Sequence, residues 1–389
     1  MMRAVVVLIF ALFFGCNADN LQSVARGNDE FTVNTFKELI KSPENNNIII
    51  SGLSAEIILS LLANGARGET QTELLDVLRL PRNIEGINKA YAEITSRLKV
   101  NQKVFKLLSA NKVYSAQNFL IEKTFNHIAV TDYDSEVQNV DFSKSTEAAN
   151  LINDWVEQKT NNKIKNLIDP KTLNANVLLV LVNALYFTGE WKYPFNKKLT
   201  TDELFYSSPT ESKKIPTMLI ASPAKYAYNE KLQAKFLELE FKGSNVSMTF
   251  VLPDEINGLA AVEENLQDYL APQQMKYEHV TIQLPKFKIE KTIDFKPILQ
   301  SLGLKKIFEV QGDLTGISKE KLMVSEILQK AFIDVDENGV EAAAATEAKI
   351  IAVSNFPPKE NYKFFANHPF LFYLKSDGLT LFAGKFSKY

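Results

Sequence analysis

Along the first half of the chain, apolar residues recur mostly three and four positions apart. Asp29–Ile40 carries such a pattern and stops at Ser42–Pro43, while Ser54–Asn64 sets Ile57, Ile58, Leu61 and Leu62 on one face and stops at Gly65. Thr70–Leu78, Asn83–Leu98 and Thr146–Lys159 repeat it, the last with Ala148, Leu151, Ile152 and Trp155 as its apolar stripe. These segments predict helices. The second half reads differently. Val177–Tyr186 is almost unbroken apolar sequence, which predicts a strand covered on both faces. Phe236–Phe241, Val246–Leu252, Val280–Leu284, Ile333–Val335, Phe370–Leu374 and Thr380–Phe386 predict further strands. Helices first and strands later, without strict alternation, predict an α+β fold rather than a doubly wound one. No repeat, low-complexity tract or Pro/Gly/Ser-rich linker divides the chain, so a single domain is expected over residues 19–389.

The first residues change the picture. Arg3 is followed by an apolar run from Ala4 to Phe14 and then by Gly15, Cys16, Asn17 and Ala18. A positive start, a short apolar run and small residues at its end predict a secretory signal peptide over residues 1–18. The run is too short to cross a bilayer. Export with cleavage after Ala18 removes Arg3 and Cys16, leaving 43 basic against 46 acidic residues and no cysteine, hence no disulfide. A chain of 389 residues with 46 % apolar and 23 % charged residues can bury a core large enough to do without such staples. The near-zero net charge gives no reason to expect nucleic acid, and no interior apolar run predicts a membrane span. A monomer is expected.

Motifs for catalysis are missing. The three histidines, His127, His279 and His368, have no metal-ligand spacing, and there is no CxxC, GxSxG, phosphate loop or GxGxxG. The expectation is a protein that is neither an enzyme nor dependent on a metal or cofactor. Lys89, Arg97, Lys99, Lys103 and Lys106 form a basic scatter, read as a solvated face rather than a polyanion site. Asn245-Val-Ser247 is a glycosylation sequon at the start of a predicted strand.

The informative stretch runs from Glu337 to Ser354. Read as a strand, it sets Val340, Ala342, Ala344, Thr346, Ala348 and Ile350 on one face, all uncharged and mostly small. Glu341, Ala343, Ala345, Glu347, Lys349 and Ile351 occupy the other face with every charge. Its Glu, Ala and Lys content suits a surface helix, which local propensity alone favours, so the choice between strand and helix falls to tertiary context.

This stretch resembles the reactive-centre hinge of inhibitory serpins: Glu337, Gly339, Val340, Glu341, then Ala342, Ala343, Ala344, Ala345 and Thr346. The resemblance extends over nearly the whole mature chain. Asn47–Ser54, Leu62–Thr70, Val182–Phe195 with Trp191 at its breach, and Phe365–Phe372 with Leu381–Lys385 are similar to family motifs in the family's order, and the whole looks most like an insect haemolymph serpin. Three positions depart: Gly52 stands where proline is usual, Val340 where serine or threonine is usual, and Gln329 where many members have histidine. Gly52 reads as a change in backbone flexibility.

The resemblance implies a serpin fold with three β-sheets, about nine helices and an exposed reactive-centre loop near residues 338–359. It also implies inhibition of a serine protease by suicide-substrate trapping, with the cut loop entering the central sheet past a polar gate of Ser51, Ser54, Asn183 and Gln329. In most inhibitory members the scissile bond follows the seventeenth residue counted from the hinge glutamate, which is Val353 here, with Ser354 beyond it. Valine suits the shallow pocket of an elastase-like protease, which would be held as a covalent acyl complex. The alternative is a non-inhibitory carrier or chaperone of the same family, whose hinges are commonly bulky or charged.

Overall fold

Ser51 starts the helix on which the architecture is centred: its Oγ accepts from the Ser54 backbone N–H at 3.1 Å and caps the first turn. Every residue of that helix except Asn64 is buried, so it runs through the interior rather than along the surface. The structure is a computed structural model describing residues 2–100, 105–340 and 362–389, with backbone alone for 2–18 and 100. Among the described residues are nine α-helices: α1 (Met2–Ile40), α2 (Gly52–Gly65, the buried one), α3 (Gly68–Val77), α4 (Ile84–Val100), α5 (Lys123–Thr131), α6 (Ser145–Lys159), α7 (Leu259–Glu264), α8 (Leu266–Leu270) and α9 (Phe295–Ser301). The first eight strands are β1 (Ile48–Ile50), β2 (Phe105–Ala116), β3 (Glu136–Val140), β4 (Leu179–Glu190), β5 (Thr201–Ser208), β6 (Glu211–Asn229), β7 (Ala234–Glu240) and β8 (Val246–Pro253). The remainder are β9 (Lys276–Pro285), β10 (Phe287–Asp294), β11 (Glu326–Val335), β12 (Gly339–Val340), β13 (Tyr362–Phe365), β14 (Phe370–Ser376) and β15 (Leu379–Phe386).

The central sheet has six strands in the order β10-β11-β12-β4-β2-β3, with β11 and β4 also paired directly and parallel. The other nine strands are continuous because β6, 19 residues long, pairs β5 and β9 along most of its length and β7 at its end. Two of the three expected sheets thus run together through β6.

β4 is buried on both faces, as its unbroken apolar sequence predicts. Leu179, Leu181, Leu185 and Phe187 face the main core with α2. Val180, Val182, Ala184 and Tyr186 face a second core under α6, together with Leu328 and Phe332 of β11. The stripe of α6 is Ala148, Ala149, Ile152 and Val156; Leu151, expected within it, is 38 % exposed. Leu151 lies about 100° before Ile152 around the helix, and the buried stripe turns the other way, towards Val156. β2 lies where no element was expected. Ser109, Asn111, Lys112 and Ser115 interrupt its apolar pattern, and its conformation comes from pairing with β4 from Phe105↔Gly189 to Ser115↔Leu179. α1 begins well before Asp29, the expected start.

Candidate functional site

β11 ends at Val335, the chain turns through Asp336–Asn338, and Gly339–Val340 comes back between β11 and β4. Val340 pairs with Val335 on one side and Gly189 on the other, and Gly339 pairs with Glu190. Further along the sheet, β11 and β4 pair directly from Phe332↔Tyr186 to Glu326↔Val180. β12 therefore occupies one end of a seam that is closed beyond it.

Several contacts hold this turn. Asp336 Oδ1 accepts from the backbone N–H groups of Asn338 at 2.7 Å and Gly339 at 3.2 Å. Trp191 donates from its backbone to Asn338 O at 2.8 Å and from Nε1 to Asp336 O at 3.0 Å, while its ring stacks on Phe241 with centroids 4.6 Å apart. Gly339 is demanded by close approach, since a Cβ there would lie 1.9 Å from the Gly189 carbonyl oxygen. The Val340 side chain is fully buried in the main core.

Glu337 anchors the turn from below. Its side chain is 3 % exposed, accepting from Thr200 Oγ1 at 2.8 Å and Lys286 Nζ at 2.9 Å. Burial alone pushes its carboxyl pKa up, but those hydrogen bonds and the Lys286 charge outweigh it and hold the group below the usual glutamate value.

Midway along the closed seam lies a polar row. Asn111 of β2, Asn183 of β4 and Gln329 of β11 are register partners on three strands. Gln329 Nε2 donates to Asn183 Oδ1 at 2.7 Å across the seam and to Ser51 O at 2.9 Å, while Ser51 N–H donates to Gln329 Oε1 at 2.9 Å. Asn183 Nδ2 donates to Ser54 Oγ and Asn111 Oδ1. The four gate residues expected from the sequence are thus brought together, and Asn111 joins them. Asn111 went unrecognised because its strand did. Gly52, beside the gate, is set by packing rather than flexibility: a Cβ there would lie 1.9 Å from Thr32 Oγ1 of α1.

Glu341, Ala342, Ala343, Ala344, Ala345, Thr346, Val353 and Ser354 lie outside the described residues. Asn245 is exposed, and the side-chain nitrogen that a glycan would occupy donates to Asp377 Oδ1 at 2.9 Å. Of the basic scatter, Lys89 pairs with Glu85 at 2.6 Å, Lys99 with Asp134 at 2.6 Å, and Arg97 with Glu93. Such pairs belong to a solvated face. His127 and His279 are exposed, whereas His368 is buried with Nε2 2.8 Å from the Pro253 carbonyl oxygen. No helix among the described residues is long and apolar enough to cross a membrane.

A family model described as "Serpin (serine protease inhibitor)" matches residues 26–389. The chain is similar to antichymotrypsin-2 of Bombyx mori, 39 % identical over 94 % of this chain and 99 % of that protein. It is 39 % identical to alaserpin of Manduca sexta over 94 % of each. Among solved structures, Serpin48 of the insect Tenebrio molitor superposes with a TM-score of 0.88 at 40 % identity, over 95 % of this chain and 98 % of that one.

Proposed function

The chain belongs to the serpin family, and on that premise we propose that it is a secreted inhibitor that traps a serine protease as a covalent acyl complex. The protease attacks the bond after Val353, and the freed end of the loop enters the seam between β4 and β11. The carrying observation is the placement of β12, already seated in the sheet at the open end of that seam.

The register of β12, continued one pair per residue, tests whether the loop fits. Ala342, Ala344, Thr346 and Ala348 would then fall on the rows of Phe187, Leu185, Asn183 and Leu181, whose side chains face the main core or the gate. A strand entering there must present uncharged side chains, because an unpaired buried charge is prohibitive. Thr346, the one hydroxyl among them, falls between Asn183 and Gln329, where it can replace the hydrogen bond that insertion breaks. Glu341, Ala343, Ala345, Glu347 and Lys349 take the opposite face, on the side of α6. Glu347 lands on the row of Val182 and Leu328, so α6 has to shift as the strand passes. The row ends with Lys349 opposite Val180 and Glu326.

Insertion forms on the order of ten ladder hydrogen bonds at about 1 kcal/mol each, which drives the step forward. Val340–Val353 extended at ~3.3 Å per residue carries the tethered protease about 45 Å, and distortion of its catalytic geometry then blocks deacylation. Valine at 353 favours an elastase-like target with a shallow pocket, although one relative is named for chymotrypsin. Incubation with a panel of serine proteases should give a denaturant-resistant complex and release the peptide Ser354–Tyr389. Cleavage without any complex would favour a carrier or chaperone instead. Secretion follows from the signal pattern, and N-terminal sequencing of secreted protein should begin at Asp19. A glycan on Asn245 requires its bond to Asp377 to open; a shift in mass on deglycosylation detects it.

A further inference from the structure

Glu56 lies on α2, two residues beyond the gate serine Ser54, and is fully buried. Neither of its carboxyl oxygens has a hydrogen-bond partner among the described residues. Ser60, one turn further along α2, and Tyr91 of α4 are buried against it, and their hydroxyls are likewise without partners. Four polar atoms from two helices therefore meet in one apolar interior with no bond of good geometry among them.

Among the described residues, no cation nearby balances a negative charge. From α1 the facing charge is Asp29, itself held by Thr380 Oγ1 at 2.5 Å and Lys375 Nζ at 3.5 Å. From α4 and the segment after α5 come Tyr91 and Tyr133, whose rings sit 5.3 Å apart. Tyr133 OH is engaged by Asn64 and Asn88. At the end of α3, Arg79 points to the surface, 3.8 Å from Glu30. An isolated carboxylate in such a place costs far more than a neutral acid.

We propose that Glu56, packed against Ser60 and Tyr91, is carried as a neutral carboxylic acid in the native protein, so that ionising it loosens the packing of α1, α2 and α4. This is independent of the inhibitory reading. Burial, with Asp29 adding repulsion, holds the carboxyl well above the usual glutamate value despite Tyr91 beside it. The native state then binds one more proton than the unfolded chain between the ordinary glutamate pKa and the raised one. Stability is complete below that window and falls as pH rises through it, by up to tenfold in the folded-to-unfolded ratio per pH unit.

The test is denaturant unfolding of the full chain at pH values from acid to mildly alkaline, for the parent protein and Glu56→Gln. The variant keeps a neutral side chain of the same shape. The parent should lose stability relative to it as pH rises, and a difference constant with pH overturns the proposal. Should Glu56→Gln not fold, infrared spectra of the parent decide with glutamate isotopically labelled. A protonated carboxylic acid band at neutral pH that fades at alkaline pH is expected, and its absence at neutral pH overturns the proposal.

Discussion

Glu337 leaves water almost entirely, yet Lys286 and Thr200 keep its carboxyl ionised. Because its pKa in the folded protein lies below the usual glutamate value, its contribution to stability is present above that value and is lost as pH falls through the folded pKa. Glu337→Gln should lower the unfolding midpoint at neutral pH by the equivalent of about 1–2 kcal/mol, since one charged hydrogen bond is weakened and Lys286 retains partial access to solvent. The same variant should lose less stability than the parent on acidification. Parallel acid titrations of thermal unfolding would dismiss this anchoring role. Glu337 itself was picked out in the sequence by pattern and resemblance. Its partners were not, because Lys286 and Thr200 lie 51 and 137 residues away in the chain and nothing local marks an ordinary lysine or threonine as an anchor. Glu56 was equally hidden, since one charged residue in an apolar helix declares itself only once every side of that helix is covered.

Between elements, the closed part of the seam depends on a row of side-chain amides that no single strand specifies. Asn183 is its centre: it accepts from Gln329 across the seam and donates to Ser54 beneath and Asn111 beside it. Asn183→Ala removes those bonds at once and leaves the Gln329 amide short of a partner in the core. The expected loss is roughly 2–3 kcal/mol of native stability, read as a lower denaturant midpoint. An unchanged midpoint would mean that the gate is bystander polarity. Four of its five residues could be anticipated because they fall in helix- or strand-like motifs resembling a family. Asn111 could not, because the interior polar residues of β2 erase the alternation that identifies a strand and only its pairing with β4 restores it. Helix α6 teaches the related lesson: its amphipathicity fixed that it packs, while the rotation that exposes Leu151 was decided by the sheet it meets.

For the whole molecule, the chain order of helices before strands gave the α+β class, but the direct parallel pairing of β4 with β11 is a long-range fact that no local pattern carries. That pairing sets the register in which an inserting loop would lie, and residue 344 is its sharpest probe. Continued from Val340, the register would put an inserted Ala344 between Leu185 and Ala331, both buried in the main core with α2. An arginine there has no acid on its row to pair with, and a buried unpaired guanidinium costs several kcal/mol. In the intact protein the seam is already closed at that row, so the substitution should leave native stability nearly unchanged. After the protease has acylated the loop, insertion of Ala344→Arg should stall near its fifth residue, leaving time for deacylation. The variant should therefore be cut as a substrate, with a several-fold rise in the molar ratio needed for full inhibition and little change in the rate of loop cleavage. Thermal unfolding gives a second readout. Cleaved parent protein should melt well above the intact form, because its sheet has gained a strand, whereas cleaved Ala344→Arg should not. If the variant forms covalent complex at the parental ratio, residue 344 does not face the core, and the register extended from β12 is wrong.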